Sequence, residues 1–131
     1  MTVILSDLIG VKYVDNGRDI AKDGGLDCWG LVRVVYHRLD LGELPMFLIS
    51  ENELRRDAFV ENMSSERWKR LDKPRSFCVA VFAFKDRRWH AGVVMPDRLH
   101  FMHCRRPAAS LDRLDHALWS ASCKGYYRYE K

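Results

Sequence analysis

The chain has 131 residues, 47% of them apolar, and a formal net charge of +4. That size suits one domain over residues 1–131 whose core needs neither disulfide nor metal. Three function classes are set aside at once. No apolar run approaches the roughly 20 residues of a bilayer span, so membrane insertion is not expected. The first ten residues lack the basic and cleavage features of a signal peptide, which points to cytoplasmic synthesis. Basic clusters such as Arg67-Trp68-Lys69-Arg70, Arg87-Arg88 and Arg105-Arg106 are interleaved with acids. They read as a solvated basic face, and no nucleic-acid partner is expected.

Residues 3–9 have the pattern of a short helix, and 15–25 form a turn-rich stretch ending in Gly24-Gly25. From Cys28 to about residue 39 the apolar positions Leu31, Val32, Val34, Val35, Tyr36 and Leu39 recur at helical spacing. Gly42 and Pro45 close that helix. Ser50 and Glu53 form a capping box for a second helix to about residue 63, and Ser64-Ser65-Glu66 opens a third to residue 71. After Pro74 the pattern changes to strands over 78–84, 89–95 and 99–104, then an amphipathic helix over 111–119 and a last strand over 125–129. Helices first and strands second describe an α+β domain with helices packed on one antiparallel sheet.

Four cysteines (Cys28, Cys78, Cys104, Cys123) stand singly with no CxxC pair, so neither a zinc ribbon nor a thioredoxin motif is present. Cys28 is the one in a reactive context, Asp27-Cys28-Trp29-Gly30-Leu31-Val32. Asp27 is a natural N-cap, which puts Cys28 at the first helical position among unpaired N–H groups. The helix dipole there is expected to lower the thiol pKa, and the Cys28 N–H could serve an oxyanion. His90 heads one strand and His103 lies on the next, so a hairpin at Pro96-Asp97 would bring them side by side. Strand alternation allows only one of His100 and His103 to face His90. On residues alone, alternatives stay open. Cys28 could be a packing thiol, and Cys28, His90, His103 and Cys104 could hold zinc, although neighbouring 103 and 104 point to opposite strand faces.

Four ordered segments resemble the motifs of the NlpC-type papain-like cysteine peptidases of bacterial cell walls. They are Gly10-Val11-Lys12-Tyr13, Asp27 to Val32, His90-Ala91-Gly92-Val93 and Phe101-Met102-His103-Cys104. The resemblance runs over about residues 8–129. It implies a papain-like fold, with the cysteine-bearing helix packed on an antiparallel sheet. It also implies a thiol-dependent hydrolase of peptide bonds in peptidoglycan stem peptides, without a cofactor. Cys28 would be the nucleophile, His90 the general base and then acid, and His103 its orienting partner. Tyr13 would place a hydroxyl near the oxyanion or substrate, and Asp27 and the position of Trp29 would meet the substrate's free amine. Trp29, Arg33, Tyr36, Leu44-Pro45 and the Gly125-Tyr126-Tyr127-Arg128-Tyr129 ending further resemble small phage tail-associated members. That branch implies tail-protein partners and a place in a virion tail. Three positions depart from the pattern: Trp29 replaces serine, Lys12 replaces proline, and Ser76-Phe77-Cys78 stands where Gly-Asp is expected. These departures keep two other readings open. One is a non-catalytic tail or assembly component whose Trp29 fills the cleft; the other is an amidase or acyltransferase on a non-wall substrate.

Overall fold

Asp27 marks the point where the turn-rich N-terminal stretch becomes regular. In the computed structural model, which describes residues 4–45, 67–85 and 89–130, a 3-10 turn at Ser6–Leu8 is followed by α1 (Ile20–Asp23). The main helix α2 (Cys28–Arg38) comes next. Asp27 begins it by accepting the Gly30 N–H at 2.8 Å, and His37 and Arg38 occupy the last turn, where the dipole favours cations. Strands β1 (Trp68–Leu71), β2 (Val79–Ala83), β3 (Trp89–Val94), β4 (His100–Arg105) and β5 (Ala108–Arg113) follow. A short helix α3 (Ala117–Ser122) then leads into β6 (Cys123–Tyr129). The strands form one antiparallel sheet in the order β1-β6-β2-β3-β4-β5.

Alternation along the central strands divides the core between the two faces of the sheet. On one face Val79, Val81, Ala91, Val93 and Met102 meet Leu31, Val32 and Val35 of α2. On the other, Ala80, Phe82, Val94 and Phe101 meet Leu114 and Trp119, which α3 and the segment before it supply. Each fully buried aliphatic or aromatic side chain contributes about 1.5–3 kcal/mol, so α2 is held mainly by its sheet-facing side.

Two motif glycines are explained by close approach. A Cβ on Gly30 would lie 2.0 Å from the Gly17 carbonyl oxygen, and one on Gly92 would lie 2.8 Å from Phe101 Cδ2. Between them they seat α2 on the N-terminal loop and β4 on β3. Trp29 and Arg33, one turn apart on α2, tie down the chain that leaves the helix. Trp29 Nε1 donates to the Pro45 carbonyl at 2.9 Å and Arg33 Nε to that of Leu44 at 3.2 Å.

Two elements differ from the sequence expectation. Trp68–Leu71 is a strand, not the end of a helix, because Trp68 pairs with Tyr129 and packs on its ring at 4.9 Å. Residues 111–113 belong to β5, not to a helix, which shortens the expected 111–119 helix to α3. The expected helix over 3–9 is reduced to the Ser6–Leu8 turn, and the capping-box helix from Ser50 lies outside the described residues. Ser76-Phe77-Cys78, the segment in place of Gly-Asp, puts Phe77 at φ +61°, a conformation glycine adopts at least cost. Phe77 is held there by its own N–H on the Val94 carbonyl (2.7 Å) and by the Tyr36 hydroxyl on its carbonyl (2.6 Å).

Candidate active site

Cys28 is the first residue of α2 and is only 4% exposed. Asp27 beside it is buried too, and its Oδ1 accepts both the Gly30 N–H and the guanidinium of Arg18. The thiol is met by the Ala91 N–H of β3, which favours its charged form. Burial nevertheless dominates, the Asp27 charge adds to it, and the thiol is pushed up to about 12. The sequence expectation of a thiol made more acidic by the helix dipole is therefore corrected: the sulfur is enclosed, and burial makes it less acidic.

β3 places His90 next to Ala91. The β3–β4 ladder runs from Gly92–His103 to Val94–Phe101, so His90 and Ala91 stand beyond its end. The thiol comes to the backbone of β3 at this point from the α2 side. His90 projects to the α3 side, among the rings of Phe82, Phe84 and Trp119, with centroids 5.7–6.4 Å away. His103 shares that face, 4.5 Å from the Phe101 ring and 4.9 Å from Trp119. His90 Nε2 and His103 Nδ1 are 2.8 Å apart. The other nitrogen of His103, Nε2, lies 2.7 Å from Asp112 Oδ2.

Burial holds His90 well below its ordinary pKa, with the His103 and Arg105 charges acting the same way. Burial also lowers His103, while the Asp112 carboxylate works against that shift. Burial thus favours the neutral form of the thiol on the α2 face and of both imidazoles on the α3 face. An imidazole held neutral can take a proton from a thiol during an attack, without a thiolate stored beforehand.

The structure brings His90 and His103 together, and it seats the Cys28 thiol against the N–H of Ala91, the residue after His90. The hydrogen bond of His90 goes to His103, and none joins it to the thiol among the described residues. Alternation resolves the choice between histidines: His103 is buried toward His90, whereas His100 bonds Asp97 at the surface. Tyr13 pairs with Leu26, two residues before Cys28, and Arg106 stacks over its ring at 4.9 Å. Asp27 is taken up by capping and by Arg18. Trp29 is a core residue, 0% exposed, its ring 6.1 Å from that of Trp68.

Cys104 donates to the Leu26 carbonyl at 3.1 Å, on the face opposite His103. Among the described residues, no group of three or more His, Cys, Asp or Glu side chains could hold a metal ion. Two residues that matter here were missed in the sequence, Arg18 and Asp112. Arg18 lies in the turn-rich stretch with no local pattern to mark it. Asp112 would stand out only if 108–113 were read as a strand, which puts it on the same face as His103.

A cavity of about 430 Å³ lies over the outer side of α2 and α1. Its lining includes Arg18, Arg33, His37 and Arg38, together with Asp19 and Glu43.

No protein-family model and no curated protein matches the chain. Among solved structures it is similar to a protein of Staphylococcus aureus subsp. aureus Mu50 described as similar to lipoprotein, NLP/P60 family. The TM-score is 0.67 at 17% identity, over 95% of this chain and 38% of the other. The chain therefore spans well under half of that protein's length. The likeness is one of fold: an α+β, papain-like NlpC/P60 arrangement with a six-stranded antiparallel sheet.

Proposed function

We propose that this chain is a thiol-dependent hydrolase acting on peptide bonds of peptidoglycan stem peptides. The observation that carries the reading is the hydrogen-bonded chain that runs from half-exposed Asp112 through buried His103 to buried His90, one residue from the backbone N–H that meets the Cys28 thiol. A fold shared with an NLP/P60-family protein supports it, as do the ordered motifs around Cys28, His90 and His103. The basic side chains of the α1–α2 cavity would suit the carboxylates of a stem peptide.

In the mechanism proposed, Cys28 Sγ attacks the amide carbonyl as His90 takes the thiol proton. The carbonyl π electrons move to oxygen, where the Cys28 N–H at the helix start would donate. Collapse breaks the C–N bond, and His90 returns the proton to the departing amine. Water, deprotonated by His90, then attacks the thioester, and the sulfur leaves with the proton. Tyr13, through its pairing beside Leu26, would border the substrate. A tail-associated role is a further part of the proposal. It rests on the Trp29, Arg33 and Leu44-Pro45 set, whose members bond one another as a unit.

A second reading is favoured by one finding: Cys28 is enclosed and its thiol strongly held as the neutral form. On that reading the fold persists as a non-catalytic component. The test is digestion of purified peptidoglycan, with released fragments identified by mass. The hydrolase reading expects new stem-peptide termini with the wild type and none with Cys28→Ala. Equal release by both proteins, or no release by either, would remove it.

A further inference from the structure

We propose that Asp112 is a positioning residue that sets the protonation pattern of both buried imidazoles and so leaves His90 Nδ1 as an open proton acceptor. The inference deepens the hydrolase reading and rests on His90 being the base in it. Its geometry begins with strand register. Phe101 pairs with Asp112 and His103 with Ser110, so Asp112 is the diagonal neighbour of His103 on the same face of the sheet. That offset brings Oδ2 to 2.7 Å from His103 Nε2.

The direction of the hydrogen bonds follows from what each group can do. A carboxylate only accepts, so His103 Nε2 must carry the hydrogen that faces Asp112. Both rings are buried among aromatic side chains, which disfavours a second proton on either. His103 Nδ1 is then the acceptor in the 2.8 Å contact, and His90 Nε2 must donate to it. One nitrogen of His90 remains, Nδ1, and it has a lone pair in place of a hydrogen.

Without Asp112 the pair of histidines is ambiguous. The reverse order, with His103 Nδ1 donating to His90 Nε2, makes the same single bond between the rings. In that order His90 Nδ1 holds the hydrogen and cannot accept one from a thiol. Asp112 breaks the tie from two residues away while its charge stays at the sheet edge, with its side chain 43% exposed.

The experiment is imidazole 15N spectroscopy of the full chain above the ordinary histidine pKa, where rings are neutral. His37, His100 and His116 are assigned by substitution. The wild type is expected to show the Nε2–H form for both His90 and His103. Asp112→Ala is expected to lose that exclusive pattern at both rings while amide dispersion shows the fold retained. With the substrate, kcat should fall and KM hold. An Nδ1–H form of His90 in the wild type would overturn the proposal without any variant, and so would unchanged tautomers in Asp112→Ala. The spectra need no substrate. Asp112-dependent tautomers in a chain that never releases wall peptides would therefore sink the hydrolase reading and leave this assignment standing.

Discussion

Gly30 shows at the scale of one residue why the cysteine motif has the composition it has. Asp27 must accept a helix N–H, and the Gly17 carbonyl must pass within 2.0 Å of where a Gly30 Cβ would be. Arg18, adjacent to Gly17, can then reach Asp27. Gly30→Ala forces backbone against backbone, so the expected loss is about 3 kcal/mol, the upper end for overpacking; urea unfolding at equilibrium would measure it. The glycine itself stood in a motif that the sequence displays, Asp27 to Val32. The identity of the opposing atom was not legible, because Gly17 lies in a stretch with no periodicity. The acidity of the thiol was not legible for a different reason. A helix start gives a cysteine only a partial charge of help, confined to the first turn, and burial is the larger effect here.

Among elements, α2 and the central strands β2, β3 and β4 were legible because two-sided or helical burial writes a strong pattern. The two strands missed, β1 and β5, are the two edges of the sheet. An edge strand is bonded on one side and faces water on much of its surface, so its sequence is polar and its alternation faint. Trp68-Lys69-Arg70-Leu71 buries Trp68 fully and exposes the two cations. In β5 only Ala109 is buried, and Leu111 is 46% exposed. Asp112 is hidden for the same reason, since the face a residue takes follows from the period of its element, and β5 shows no clear period of two. The Trp29 and Arg33 contacts with Pro45 and Leu44 explain another feature of the sequence: residues that stand apart in the chain form one fastening, which holds the segment after α2 against the first half of that helix.

Over the whole molecule, the buried neutral groups bound the pH range in which the fold is most stable. His90 and His103 have folded pKa values below 6.5, so the unfolded chain takes up protons first as pH falls. Their stabilising contribution is present above about 6.5 and is lost on acidification through that value. Cys28 and Cys104 are raised to about 12 and Cys78 to about 11, from 9.0. Their contribution is complete below 9.0 and is lost as pH climbs toward those folded values. A melting-temperature profile is therefore expected to show a plateau between 6.5 and 9 with a fall on either side. In His90→Gln the acid-side fall should be shallower. The thiol meets the sheet from the α2 face and the imidazoles pack on the α3 face, at the part of β3 beyond the end of the β3–β4 ladder.

The pairing of Cys28 with His90 is tested most directly by the rate at which a small alkylating agent modifies Cys28. Peptide mapping separates that site from Cys78, Cys104 and Cys123. If His90 takes the thiol proton during attack, His90→Gln should slow modification at neutral pH by about 100-fold or more, the lower range for a general base. Equal rates in the two proteins would contradict the pairing and leave Cys28 as a core thiol at the start of a helix.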